Sequence, residues 1–242
     1  MMKVAGIHSV EELLKTSKPI REVYIKQSSA SKTLNKIYEK LRERNIPVKF
    51  VPKEKLDRLY KGNHQGIVVI TSGLEYVPLE TMIENAFEIT DFPVFLLLDG
   101  ITDARNFGAI LRSAAAFEVN GVIIPAYGAA PLNEDVIKIS SGAAFYIPVS
   151  RVNHLLDAIY FLRNYDVELI AATGEAEANL ENFRFTRPVG LIMGNEQKGI
   201  QKKVLKNADA RLRIAISPKV ESLNVSVATA VFLYEIHKQL KL

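Results

Sequence analysis

A chain of 242 residues, 48% hydrophobic and 24% charged, has the composition of an ordinary soluble protein and can bury a core in one large or two modest domains. Its lack of cysteine excludes disulfides, thiolate metal sites and a cysteine nucleophile, and no apolar run reaches the roughly 18 residues of a membrane span. The net charge of +4 is unevenly divided: residues 1–72 hold 15 Lys and Arg against 7 Asp and Glu, or +8, whereas residues 73–242 hold 16 against 20, or −4.

A basic module ahead of an acidic one suits a polyanionic partner, because each phosphate contact releases counterions. A solvated, lysine-rich surface explains the same charge equally well. Met1 to His8 turns polar at once and carries no signal-peptide pattern, so a cytoplasmic location is expected.

In chain order, Pro19–Lys26 reads as a strand. A helix follows from Ser31 to about Arg44, with Leu34, Ile37, Tyr38 and Leu41 at helical spacing. Pro47–Val51 is a second strand, Pro52 opens a short helix around Leu56 and Leu59, and Gly66–Thr71 is a third strand. Residues 1–72 thus form a small α/β domain. Residues 73–91, with Gly73, Pro78 and a helix over Leu79–Phe87, form a linker. Residues 92–242 begin with the buried strand Val94–Leu98, ending at Asp99-Gly100. Further strands are expected at Gly121–Ile124, Phe145–Val149, Val167–Ala172, Val189–Met193 and Leu212–Ile216. Helices fit at Phe107–Phe117, Asn153–Arg163, Ile200–Lys206 and Leu223 to about Gln239. Apolar strands separated by helices indicate an α/β fold with a mostly parallel sheet covered on both faces.

In such sheets ligands bind beyond the carboxyl ends of the strands, and three stretches there carry chemistry. The first runs from Asp99 to Ala114, with Asn106 at the mouth of a helix and Arg112 six residues on. Alone, these read first as a helix cap and a surface cation. The second is Gly190 to Ile200, a strand entering the loop Gly194-Asn195-Glu196-Gln197-Lys198-Gly199, which is neither a Walker A loop nor Gly-x-Gly-x-x-Gly. The third is Arg211 to Ile216 followed by Val220 to Ala228. Here Ser222 is placed to cap the last helix, with Leu223 and Asn224 in its first turn among free backbone N–H groups.

In order, spacing and local structure these three stretches resemble the motifs of the SpoU (TrmH-like) RNA 2'-O-ribose methyltransferases. Asn106 with Arg112, Gly194-Asn195-Glu196 with Gly199, and Ser222-Leu223-Asn224-Val225-Ser226 carry the likeness. Lys138-Ile139-Ser140-Ser141-Gly142-Ala143 is similar to a further family segment. Gly6-Ile7-His8-Ser9-Val10 and His64-Gln65-Gly66-Ile67-Val68 resemble the opening and closing signatures of the L30e-like substrate-binding domain that many members carry. The likeness spans essentially the whole chain and is nearest to the bacterial-type 23S rRNA guanosine 2'-O-methyltransferases, with a tRNA ribose methyltransferase or a non-catalytic assembly factor of the same fold as alternatives.

The resemblance implies an L30e-like domain followed by a SPOUT-type domain with a trefoil knot, a homodimer, 23S rRNA as partner rather than DNA or a membrane, and S-adenosylmethionine as methyl donor. Main-chain groups at Gly194, Ile214 and Leu223 would hold the donor, with Met193, Asn195 and Ile216 beside them and Thr173-Gly174 bordering the site. The reaction needs a ribose hydroxyl aligned with an activated methyl and relieved of a proton. Arg112 matches the arginine proposed to act on that hydroxyl, as base or by holding phosphate and polarising the hydroxyl, since a guanidinium normally stays protonated. Asn106 and Glu196 would position it, with Asn224 and Ser226 in the same pocket. No metal is implied, and His8, His64, His154 and His237 lack ligand spacing. Lys32, Lys36 and Arg42, with Lys40 and Arg44, are candidates for diffuse RNA contact, although a solvated face explains them too. The chain departs from the family at Ile214-Ala215-Ile216, where Ile-Pro-Met is usual, and at Pro218, which stands where a glycine is common.

Overall fold

The computed structural model describes residues 1–27 and 31–240. In chain order it forms β1 (Met2–Ala5), α1 (Ile7–Lys15), β2 (Ile20–Lys26), α2 (Lys32–Glu43), β3 (Val48–Val51), α3 (Lys53–Leu59) and β4 (Ile67–Thr71). There follow α4 (Leu79–Ile89), β5 (Val94–Asp99), α5 (Ala104–Ala116), β6 (Gly121–Pro125), α6 (Glu134–Ile139), β7 (Val149–Val152), α7 (Leu155–Arg163) and β8 (Glu168–Ala172). The chain closes with β9 (Ala178–Asn179), β10 (Val189–Gly194), α8 (Lys202–Leu205), β11 (Ala210–Arg213) and α9 (Val225–Leu240). No helix among the described residues is long and apolar enough to cross a membrane.

Contacts divide these residues into two compact units, Met1–Leu74 with Leu132–Phe145, and Glu75–Pro131 with Tyr146–Leu242. Within the span 92–242 that the sequence marks as one domain, Leu132–Phe145 groups by contacts with the residues of the first unit. The reason is visible at two points. The Lys3 backbone N–H donates to Glu134 Oε1 at 2.7 Å. Gly142, at φ +87°, lies so close to α1 that a Cβ there would sit 2.6 Å from Glu12 Cβ and 3.2 Å from Ser9 Cα. Only glycine allows that approach.

The first unit has a four-stranded sheet in the order β1-β4-β2-β3, with β4 antiparallel to both neighbours and β2 parallel to β3. Val23, Ile25, Val68 and Val69 are buried, as are Val10, Leu13 and Leu14 of α1 and Leu34, Ile37 and Leu41 of α2. The sequence reading left β1 and α1 unassigned. Four residues are too few to declare a strand by alternation, and β1 exists through its pairing with β4, Met2 opposite Thr71 and Ala5 opposite Val68.

The second unit is a seven-stranded sheet ordered β7-β6-β5-β10-β8-β11-β9, with every strand pair parallel. The interior strand β5 is buried at every residue, as a parallel strand covered on both faces must be. On one face α4 and α7 place Met82, Ile83, Ile159 and Leu162 against Phe95 and Leu97. Elsewhere α5 packs against α9, with the Phe117 and Tyr234 rings edge to face at 6.2 Å. The late strands enter between earlier ones: β10 lies between β5 and β8, and β11 between β8 and β9.

Three expected elements shift. The strand expected at Phe145–Val149 lies at Val149–Val152, and Phe145 closes a 3₁₀ turn, Ala143–Phe145, in the first unit. The strand expected to reach Ile216 stops at Arg213, where its pairing with Asn179 of β9 ends. The helix holding Asn106 starts earlier, at Ala104, because Asp103 Oδ1 accepts the Arg105 backbone N–H at 2.7 Å and caps it.

Candidate active site at the carboxyl ends of the central strands

Beyond the carboxyl ends of β8, β10 and β11 lies an open cleft of about 200 Å³, roofed by the start of α9. Thr173 and Gly174 follow β8; Met193 and Gly194 end β10 and Asn195 follows it; Ile214 and Ile216 follow β11; Leu223 precedes α9. These are the eight positions named for the methyl donor, and all of them line this one cleft. A Cβ at Gly174 would meet nothing within 4 Å, so the wall there is open main chain. Sequence reasoning missed Ile200, Arg213, Glu221, Ala228 and Phe232, which also line it. A signal existed for Ala228 and Phe232, which lie one and two turns beyond Val225 on the apolar pattern of α9.

The loop after β10 is held from within and from β5. Asn195 and Gly199 exchange backbone hydrogen bonds at 3.1 and 2.8 Å. Asn195 Oδ1 accepts the Gln197 and Lys198 backbone N–H groups at 2.9 and 3.2 Å, and its Nδ2 donates to the Gly100 carbonyl at 2.8 Å. Asp99, 1% exposed, accepts from the Gln201 backbone N–H and from Gln201 Nε2, both at 2.7 Å. Gly199 takes φ +65°. Gly194 answers to a different demand, since a Cβ there would lie 2.4 Å from Gly199 C and Ile200 N. Its role is to let the loop close on itself.

That closure aims Glu196 at the start of α9. The helix begins at Val225, so Leu223 and Asn224 precede it and the cap is Asn224, not Ser222. Asn224 Oδ1 accepts the Ser226 backbone N–H at 2.9 Å and the Ser226 hydroxyl at 2.6 Å. With its oxygen so committed, the amide turns its nitrogen outward. Nδ2 donates to Glu196 Oε1 at 2.5 Å and to Asn106 Oδ1 at 3.1 Å. The Val225 backbone N–H lies 3.5 Å from the same Glu196 oxygen, so that carboxylate also sits at the positive end of a helix. Glu196 lines the cleft, which makes the Asn106–Asn224–Glu196 cluster its rim.

Arg112 is exposed on α5, about 9 Å along the axis from Asn106 and about 120° around it. Beside the helix start, hydrogen bonds from the Arg105 side chain and then its backbone N–H hold the Asp103 carboxyl below the usual carboxylate range. Lys32, Lys36, Lys40, Arg42 and Arg44 are all exposed on or just after α2, in the first unit. No group of three His, Asp or Glu residues placed to hold a metal occurs among the described residues.

Residues 93–234 match the SpoU rRNA Methylase family, and residues 3–77 match the family described as RNA 2'-O ribose methyltransferase substrate binding. The chain is 30% identical over 236 residues to YacO of Bacillus subtilis, a protein assigned to the TrmH family of tRNA/rRNA methyltransferases; the match covers 98% of this chain and 95% of that one. Among solved structures, an AdoMet-bound rRNA methyltransferase from Sinorhizobium meliloti is 25% identical with a TM-score of 0.80, covering 99% of this chain and 87% of that chain. The SpoU methyltransferase AviRb of Streptomyces viridochromogenes shares the fold at 21% identity, with a TM-score of 0.82 and 98% and 89% coverage.

Proposed function

Because this chain belongs to the SpoU rRNA methylase family, we propose that it transfers a methyl group from S-adenosylmethionine to a ribose 2'-hydroxyl of RNA, with a guanosine of 23S rRNA as the target. The observation that carries this reading is the junction of two features: a strand-end cleft lined by all eight donor candidates, and the hydrogen-bonded Asn106–Asn224–Glu196 cluster on its rim.

The cleft suits the methyl donor chemically. Met193, Ile214, Ile216, Leu223 and Phe232 offer apolar surface for a flat base, strand-end main chain borders it, and Glu196 and Glu221 supply negative charge for a cation. When bound, S-adenosylmethionine supplies an activated methyl on a sulfonium. Gly194 lets the loop close, Asp99 and Asn195 hold that loop to β5, and Leu223 covers the cleft from the α9 side. The three-residue cluster is a preformed polar surface on which a ribose can be oriented, at no reorganisation cost at the moment of reaction. Asn224 is locked in one amide orientation by Ser226, so Glu196 and Asn106 keep fixed acceptor positions. In this proposal Arg112 binds the phosphate of the target nucleotide and polarises its hydroxyl, since a guanidinium remains protonated. The exposed cations of α2 make diffuse phosphate contacts. The same reading carries with it the knotted chain path and a homodimer.

The test is methyl transfer from labelled S-adenosylmethionine to unmodified total RNA, with the product mapped by resistance of 2'-O-methylated sites to alkaline cleavage. Label in 23S RNA, reduced about 100-fold or more in Arg112→Ala while donor binding persists, is the expected result. Label confined to tRNA moves the target, and donor binding without any RNA labelling overturns the enzymatic reading.

A further inference from the structure

We propose that Tyr127, on the loop after β6, is a stacking platform for an RNA base beside the methylated ribose. The proposal rests on the functional reading above, and its starting point is the order of strand ends across the second unit. The donor cleft lies over β10, β8 and β11, and the Asn106–Asn224–Glu196 cluster joins the helix that follows β5, the loop that follows β10 and the start of α9. A ribose oriented on that cluster has the donor on its β8 side. In this proposal the rest of the nucleotide and its neighbours run on the side away from the donor, over the ends of β6 and β7.

Tyr127 stands at that end. It is 85% exposed, and among the described residues only Met1 has a large apolar side chain more exposed. Its loop is nevertheless fixed. The Ala126 backbone N–H donates to the Val152 carbonyl at 2.7 Å, Arg151 Nη2 donates to the Ala126 carbonyl at 2.5 Å, and the Ala130 N–H donates to the Ile101 carbonyl at 2.8 Å. The last bond ties the loop to the segment leading from β5 into α5, the helix that carries Asn106. Arg151, exposed on β7, places its guanidinium 5.6 Å from the Tyr76 ring centroid, so a cation and a second aromatic lie alongside. An aromatic face on an anchored backbone, next to an arginine and one strand from the polar cluster, is the equipment that recognises an unstacked base and its phosphate. Stacking uses the ring and not the hydroxyl, which makes the proposal separable from a hydrogen-bonding role.

The experiment uses the full chain with single-stranded oligoribonucleotides carrying 2-aminopurine, whose fluorescence is quenched by stacking. Wild type and Tyr127→Phe are expected to bind and quench alike, whereas Tyr127→Ala binds about tenfold more weakly with the quench lost. In methyl transfer to total RNA, Tyr127→Ala is expected to raise the KM for RNA about tenfold, with S-adenosylmethionine affinity measured by calorimetry unchanged. Binding and quenching by Tyr127→Ala equal to wild type overturn the platform, as does a Phe variant as impaired as the Ala variant. Wild-type protein that quenches but transfers no methyl group sinks the enzymatic reading and leaves the platform standing. Normal wild-type methylation, unchanged in Tyr127→Ala, does the reverse.

Discussion

Asn224 shows how little at the single-residue scale separates a structural role from the functional one proposed for it. Its oxygen does what any helix cap does, accepting from Ser226, and that ordinary act orients its nitrogen towards Glu196 and Asn106. A serine in its place would cap nearly as well but could not span both partners. Gly194 is a second such case. With an alanine there, a methyl carbon meets main-chain atoms at 2.4 Å, which cannot yield as a flexible side chain would. Gly194→Ala is therefore expected to displace the loop that ends in Gly199 and Ile200, weakening S-adenosylmethionine binding about tenfold or more by calorimetry. Unchanged affinity would show that the loop adjusts freely and does not shape the cleft.

Among the secondary-structure elements, the site depends on one loop being tied to the neighbouring strand. Asp99 closes β5 with a buried carboxylate that holds the Gln201 backbone and side chain at 2.7 Å each. Asp99→Ala removes the charged acceptor of both Gln201 hydrogen bonds, a loss of about 1.5–3 kcal/mol. A lower denaturation midpoint together with weaker donor binding is the expected pair of results. A stability loss with donor affinity intact would mean that the tie braces the sheet but not the site. The short β11 belongs to the same scale. Its apolar pattern continues to Ile216, yet the strand stops at Arg213 because it has no further partner. Residues 214 to 224 thereby become the irregular wall of the cleft, and the Pro218 that departs from family usage falls in this stretch.

For the whole molecule, the proposed dimer has a surface suited to it. α9 leaves Val227, Val231 and Tyr234 exposed along one stripe, at 49%, 37% and 56%. The spacing of four and three residues puts them on one face. Charge placed there should oppose self-association, so Val231→Asp with Tyr234→Asp is expected to lower the mass measured by light scattering from two copies to one. A wild-type chain that elutes as a monomer overturns the dimer outright.

Much of this was legible from residue order alone, for a physical reason. Buried parallel strands announce themselves as apolar runs and helices by their spacing, and the three chemistry-bearing stretches sit where strands hand over to loops. Hence the expected α/β class and the strands at Val94 and Val189 could be named in advance, and the resemblance to the SpoU family added eight of the residues that line the cleft, though not Ile200, Arg213, Glu221, Ala228 or Phe232. Other features were set by contacts between distant parts of the chain. Asn224 meets Asn106 across 118 residues, Gln201 meets Asp99 across 102, and Asn195 meets Gly100 across 95. The same holds for β1, which is a strand only because β4 pairs with it, and for Leu132–Phe145, which joins the first unit through Gly142 and Glu134. Local pattern determines what a segment is able to become. Which groups it then meets, and so which residues make a site, depends on packing that no window of sequence contains.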